Sequence, residues 1–158
     1  MLTLTHSCRL FREVEALITP SNLTKNEIVV DTDVFSYTFR GDTRAEFFRP
    51  FFMHRTLALS FMTVGQLYYG AYRAGWGEAH ITRLENQIKN YVVLPWDYLI
   101  CKQWAQIRRE CEFKGHSMED SDIWIAACAR HYDCALATNN GRHFNNIDGL
   151  TVICPGLF

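Results

Sequence analysis

The sequence predicts an α/β fold: a central, mostly parallel sheet of four to five short strands with helices on both faces. Three observations carry this. Short apolar runs recur at residues 28–30, 57–61, 92–94, 135–138 and 150–153. Segments with helical apolar spacing separate them. Glycine, proline and capping residues punctuate the boundaries. Strands that alternate with helices pair in parallel, because the crossover returns the chain to the same end of the sheet. A chain of 158 residues, nearly half of them apolar, suits one domain with a sizeable core.

The elements follow in order. Residues 1–26 are expected to be an N-terminal extension. Leu10, Phe11, Val14, Leu17 and Ile18 repeat there at helical spacing, and Pro20 then breaks the pattern. The folded domain is expected over 27–158. A first strand at 28–30 ends on Asp31. Residues 44–54 read as a helix whose aromatic face is Phe47, Phe48, Phe51 and Phe52. A second strand at 57–61 leads to Thr63, a candidate cap for a helix over about 64–72. After a turn at 75–77 another helix runs to about Tyr91. The third strand, 92–94, is stopped by Pro95, and Asp97 is positioned to cap a long helix that ends near Lys114 and Gly115. Asp122 lies near the start of a further helix, through about His131. The fourth and fifth strands close the domain.

Composition narrows the function classes. The formal net charge of -1 gives no global attraction to a polyanion, so nucleic-acid binding needs a local basic patch or a bound metal. Arg40, Arg44, Arg49, His54 and Arg55 form a loose basic group, read either as a solvated face or as an RNA contact. The six cysteines contain no C-x-x-C pair, which argues against zinc, and are read as reduced, mostly buried thiols of a cytoplasmic protein. No apolar run approaches the ~20 residues of a membrane span, and the N-terminus lacks the features of a signal peptide. Trp76, Trp96, Trp104 and Trp124 read as core or interface anchors.

The polar residues that matter share one location. Ligands of parallel α/β sheets bind beyond the carboxyl ends of the strands. Asp31 and Asn140 sit at or just past strand ends, and Gln66 and Asp122 are expected in the first turns of helices. Carboxylates gathered there suit a hard cation such as magnesium, which is typically held by one or two carboxylates plus waters and substrate phosphates. Each residue also has a structural reading: Asp31 as a turn or cap residue, Asp122 as a helix-start carboxylate, Gln66 as an ordinary helical residue, Asn140 as a turn residue. Asp120 is either an acid supporting the site or a solvated first-turn residue. Asp33 is expected to point away from Asp31 and to order the loop.

Four segments, taken together, resemble a known family. They are Asp31-Thr32-Asp33, Thr63-Val64-Gly65-Gln66-Leu67-Tyr68-Tyr69-Gly70, Asp122-Ile123-Trp124-Ile125-Ala126-Ala127, and Thr138-Asn139-Asn140 running on to Phe144. Gly75-Trp76-Gly77-Glu78, Leu94-Pro95 and Gly149-Leu150 add to the pattern. Over about residues 27–154 the chain is similar to PIN-domain ribonucleases of the VapC toxin type. The resemblance implies an α/β/α sandwich and a Mg²⁺- or Mn²⁺-dependent endoribonuclease acting on RNA. It also implies a homodimer and inhibition by a VapB-like antitoxin. Carried over residue by residue, it makes Asp31, Gln66, Asp122 and Asn140 the catalytic stations. Asp31 and Asp122 would hold metal, Thr138 and Asp120 would support them, and Arg142 would contact RNA.

Two stations depart from the family pattern. Asn140 stands where Asp or Asn is usual, which keeps an oxygen. Gln66 stands where a glutamate is expected, which removes a charge. A unit pair ~4 Å apart interacts by about 4 kcal/mol at an effective dielectric near 20. The resemblance therefore implies an enzyme whose activity is weakened or lost. An alternative is a PIN-fold module that acts by binding antitoxin or RNA. A further alternative starts from Asp31-x-Asp33, which is similar to the opening of haloacid-dehalogenase-type phosphatases; that chemistry also requires a well-placed lysine.

Overall fold

In the computed structural model, which describes residues 26–156, five parallel strands form one sheet in the order β3-β2-β1-β4-β5. They are β1 (Glu27–Val30), β2 (Thr56–Ser60), β3 (Val92–Leu94), β4 (Ala135–Ala137) and β5 (Val152–Ile153). Helices cover both faces, as the sequence predicts. The expected N-terminal extension lies outside the described residues, except for Asn26.

Successive strand residues point to opposite faces, and two cores result. Val29, Ala58 and Leu136 face a cluster built with α5 (Tyr98–Phe113) and α6 (Asp120–His131), including Ile107, Ile123 and Ala127. Ile28, Val30 and Leu59 face the other cluster, built with α1 (Thr32–Arg40), α3 (Phe61–Arg73) and α4 (Glu78–Ile88). Ala126, Ala127 and Ala129 are fully buried, which lets α6 lie close against its neighbours.

Several boundaries differ from expectation for identifiable reasons. The chain turns into α1 directly after β1, because the Asp31 side chain accepts from the Thr32 N–H at the helix start; the sequence offers this helix only through the structural reading of Asp31 as a cap. The expected helix over 44–54 is instead a 3-10 segment, Thr43–Phe47, followed by one short turn, α2 (Arg49–Phe52). Pro50 lacks the N–H that would continue the first segment into the second. The phenylalanines of this region do not form an outer face: Phe48 is fully buried, and Phe47, Phe51 and Phe52 pack against the second core.

The cap of α3 is Ser60, whose Oγ accepts from the Thr63 N–H at 3.0 Å. Thr63 is therefore a buried first-turn residue, and Gln66 falls in the second turn instead of the first. Asp97 does cap α5, accepting from the Ile100 N–H at 2.8 Å. Past the end of that helix Gly115 adopts a φ of 64°, a left-handed conformation that glycine takes at little cost.

Among the described residues no helix is long and apolar enough to cross a membrane. Cys111, Cys128, Cys134 and Cys154 are buried free thiols, and burial pushes those of Cys128 and Cys134 up to about 12. Cys101 is exposed.

Candidate active site

The strand order reverses direction at β1: the chain steps to β2 and β3 on one side and reaches β4 and β5 on the other. A crevice opens at such a point beyond the carboxyl ends of the strands. Here it is a cleft of about 620 Å³ whose lining includes Asp31, Asp33, Gln66, Asp122 and Asn140. All four stations read from the sequence thus reach one cavity. β1 delivers Asp31, α3 delivers Gln66, α6 delivers Asp122, and the short α7 (Gly141–Phe144) begins at Asn140.

Asp31 is the most buried of them, 7% exposed. Its Oδ2 accepts from the Thr138 hydroxyl at 2.7 Å and its Oδ1 from the Thr32 N–H at 2.7 Å. Both partners are neutral. Burial, and then the nearby charge of Asp33, push the Asp31 carboxyl up to about 7; Asp122 adds to the same effect. Thr138 also accepts from the Asn140 N–H at 3.0 Å, so one buried hydroxyl connects two stations.

Asp33 does not point away as expected. It lines the cleft, and its Oδ2 accepts from the Asn139 N–H at 3.1 Å. The alternation rule assumes a continuing strand, but here the chain is already helical at Thr32, so Asp31 and Asp33 gather at one helix end. Burial raises the Asp33 pKa too. Gln66 receives a hydrogen bond from the Thr32 hydroxyl on its Oε1.

Asp120 and Arg142 are placed differently. Asp120 is 70% exposed and pairs with Arg108 of α5 at 3.2 Å, outside the cleft lining. Arg142 is exposed and is also outside that lining. The cations at the rim are Arg40 and Arg44 instead. Arg44 stacks on the Tyr37 ring, 4.0 Å from its centroid, and is held by Asp42 at 2.7 Å.

Besides Asp33, the sequence reading left His143 out of the site. Its Nδ1 lies 3.0 Å from Asp122 Oδ2 and 2.8 Å from the Asn140 side-chain amide. The signal was present in the spacing: residues three apart at a helix start share a face, and Asn140 and His143 are three apart.

The donor set fits a divalent cation with few protein ligands. Among the described residues no three His, Cys, Asp or Glu side chains converge enough to hold a metal alone. Magnesium needs only one or two carboxylates when substrate phosphates and waters complete its shell. A buried carboxylate with only neutral partners is the feature a cation would satisfy, and Asp31 has it.

Comparisons with known proteins agree with this architecture. Residues 28–150 match the family model of the PIN domain. The chain is 30% identical over 94 residues to "Ribonuclease VapC2" of Haemophilus influenzae, covering 60% of this chain and 71% of that protein. It is 26% identical over 124 residues to "tRNA(fMet)-specific endonuclease VapC" of Shigella flexneri, covering 78% and 94%. The crystal structure of DNA-bound VapBC from Salmonella typhimurium superimposes with a TM-score of 0.72 at 28% identity, covering 81% of this chain and 97% of that one.

Proposed function

Because this chain belongs to the PIN-domain family, we propose that it is a VapC-type toxin, a cytoplasmic endoribonuclease dependent on Mg²⁺ or Mn²⁺. The observation that carries the reading is the convergence of Asp31, Asp33, Gln66, Asp122 and Asn140 on one cleft beyond the strand ends. The curated relatives are named as ribonucleases, and the solved relatives include toxin–antitoxin complexes. Those likenesses support a VapB-like antitoxin as partner, and the family resemblance supports a homodimer.

Asp31 and Asp122 would hold the metal, with Asn140 offering an amide oxygen. When bound, the ion would supply an acidified water and charge stabilisation at the phosphate. The protein's own contribution is positional. Thr138 fixes Asp31 Oδ2, Thr32 engages Gln66, and Asp33 ties the loop at Asn139 to α1. Arg40 and Arg44 at the rim suit the RNA backbone. Gln66 keeps an oxygen at its station but brings no charge, so metal binding and turnover are weaker than with glutamate. RNA cleavage by the wild-type chain against Asp31→Asn and Asp122→Asn, with and without chelator, tests the reading. Loss of cleavage in both variants supports it; undiminished cleavage in both removes it.

Among the described residues the phosphatase alternative lacks its lysine. Lys114 pairs with Asp148, Lys89 with Asn86, and Lys102 lies over the Tyr98 ring; none lines the cleft.

A further inference from the structure

His143 Nδ1 meets two polar groups of the site at once. Its Nδ1 faces a carboxylate oxygen of Asp122 at 3.0 Å and the Asn140 amide at 2.8 Å. A bare Nδ1 accepts from an amide nitrogen but repels the carboxylate. A protonated Nδ1 donates to the carboxylate but meets the amide well only through the amide oxygen, and which end of an asparagine faces a neighbour is decided by the network around it. With the oxygen inward, an Nδ1–H tautomer donates to both oxygens, whereas a bare Nδ1 stands beside Asp122 Oδ2 and Asn140 Oδ1 as a third lone-pair donor. In the second case a cation takes the place of the proton between them. The spacing suits one, because two ligands at right angles on an ion with bonds of about 2.1 Å stand about 3.0 Å apart.

We propose that His143 Nδ1, together with Asp122 and Asn140, ligates the divalent ion of this cleft, and that the site consequently selects a transition-metal ion of the Mn²⁺ or Co²⁺ kind over Mg²⁺. The inference rests on the metal-nuclease reading above and adds a nitrogen ligand to it. Imidazole suits first-row transition metals, whereas magnesium takes oxygen ligands almost exclusively. Gln66 works in the same direction. With no carboxylate at that station, the site has less charge with which to hold a strongly hydrated Mg²⁺, and the nitrogen donor matters more. The side chain of His143 is 42% exposed, so an incoming ion can reach it without the core opening.

The experiment uses the full-length wild-type chain, His143→Ala and His143→Asp. Mn²⁺ and Mg²⁺ binding are measured calorimetrically, and pulsed electron paramagnetic resonance on the Mn²⁺ complex reads nitrogen hyperfine coupling. The wild type is expected to show that coupling and to bind Mn²⁺ more tightly than Mg²⁺. His143→Ala should lose the coupling and weaken Mn²⁺ binding at least roughly ten-fold, since even groups that merely orient a ligand are worth 10–100-fold. Its Mg²⁺ affinity should change less than about two-fold. His143→Asp should also lose the coupling, while moving the preference toward Mg²⁺. Bound Mn²⁺ without nitrogen coupling, or wild-type Mn²⁺ affinity in His143→Ala, overturns the ligand assignment and leaves the metal-nuclease reading intact. A wild-type chain that binds neither ion overturns both.

Discussion

The Thr138 hydroxyl donates to Asp31 Oδ2 at 2.7 Å, joining the ends of β4 and β1 across 107 residues of sequence. This buried bond sets the orientation of the central acid, and it is one of the few effects that lower the Asp31 pKa against the larger upward effect of burial. Thr138→Val keeps the shape and removes the donor. Hydrogen bonds to charged groups contribute about 1.5–3 kcal/mol. The variant should therefore raise the Asp31 pKa further and reduce cleavage, because Asp31 is held less well and is less often ionised. A carboxyl titration by NMR reads the first effect; an unchanged midpoint would contradict it.

The buried Asp31 makes a pH prediction. Its carboxyl, ordinarily near 3.8, is pushed up to about 7 by burial and by Asp33. The folded state thus holds this proton more tightly than the unfolded chain does. The metal-free protein loses stability as pH rises from about 4 through about 7, by up to roughly 4 kcal/mol at 1.36 kcal/mol per pKa unit. Asp31→Asn should flatten that slope and melt higher than the wild type at pH 8, while Mn²⁺ should raise the melting temperature of the wild type alone. Parallel pH–stability curves for the two metal-free proteins would contradict the assignment.

Gln66→Glu restores the charge that the family pattern contains at this station. The Thr32 hydroxyl that now donates to Gln66 Oε1 can donate equally to a carboxylate, so the fold should accept the change. Divalent metal binding should tighten and RNA cleavage should rise, and Asp31→Asn in the same background should abolish the gain. If neither affinity nor rate moves, residue 66 lies outside the metal site.

Arg40 and Arg44 at the rim should act on RNA affinity more than on chemistry. Replacing both with alanine should raise KM and lower the salt dependence of binding, by about one unit of slope for each phosphate that is no longer neutralised. An unchanged salt slope would place the RNA path elsewhere.

Much of this architecture was legible in the sequence, because its signals are local. The strands at 28–30 and 92–94 are short apolar runs, and Asp97 caps α5 as its position suggests. What escaped reading depends on where the chain turns. Asp33 enters the cleft because α1 begins one residue after Asp31. The phenylalanines at 47–52 turn inward because Pro50 divides their segment. His143 became visible as a site residue once α6 and the turn after β4 met in space, 21 residues apart in sequence. The sequence left Asp120 between two readings, and its ion pair with Arg108 places it at the exposed surface.

The helix α3 carries four aromatic residues, Phe61, Tyr68, Tyr69 and Tyr72. Tyr69 and Tyr72 remain 66% and 67% exposed on one helix face. Contiguous exposed apolar surface marks interaction sites, and Tyr69 also borders the cleft. Tyr69→Ala with Tyr72→Ala should weaken self-association or antitoxin binding, read by light scattering on the chain alone and with its antitoxin. Unaltered mass in both conditions would assign these residues to solvent.

The most direct test of a metal nuclease centred on Asp31 is RNA cleavage by the wild-type chain, titrated with Mn²⁺ after chelation, beside Asp31→Asn. Cleavage should be absent without metal, rise to saturation with Mn²⁺, and stay absent in Asp31→Asn at every concentration. Cleavage that survives chelation, with Asp31→Asn as active as the wild type, would contradict a metal site built on this acid.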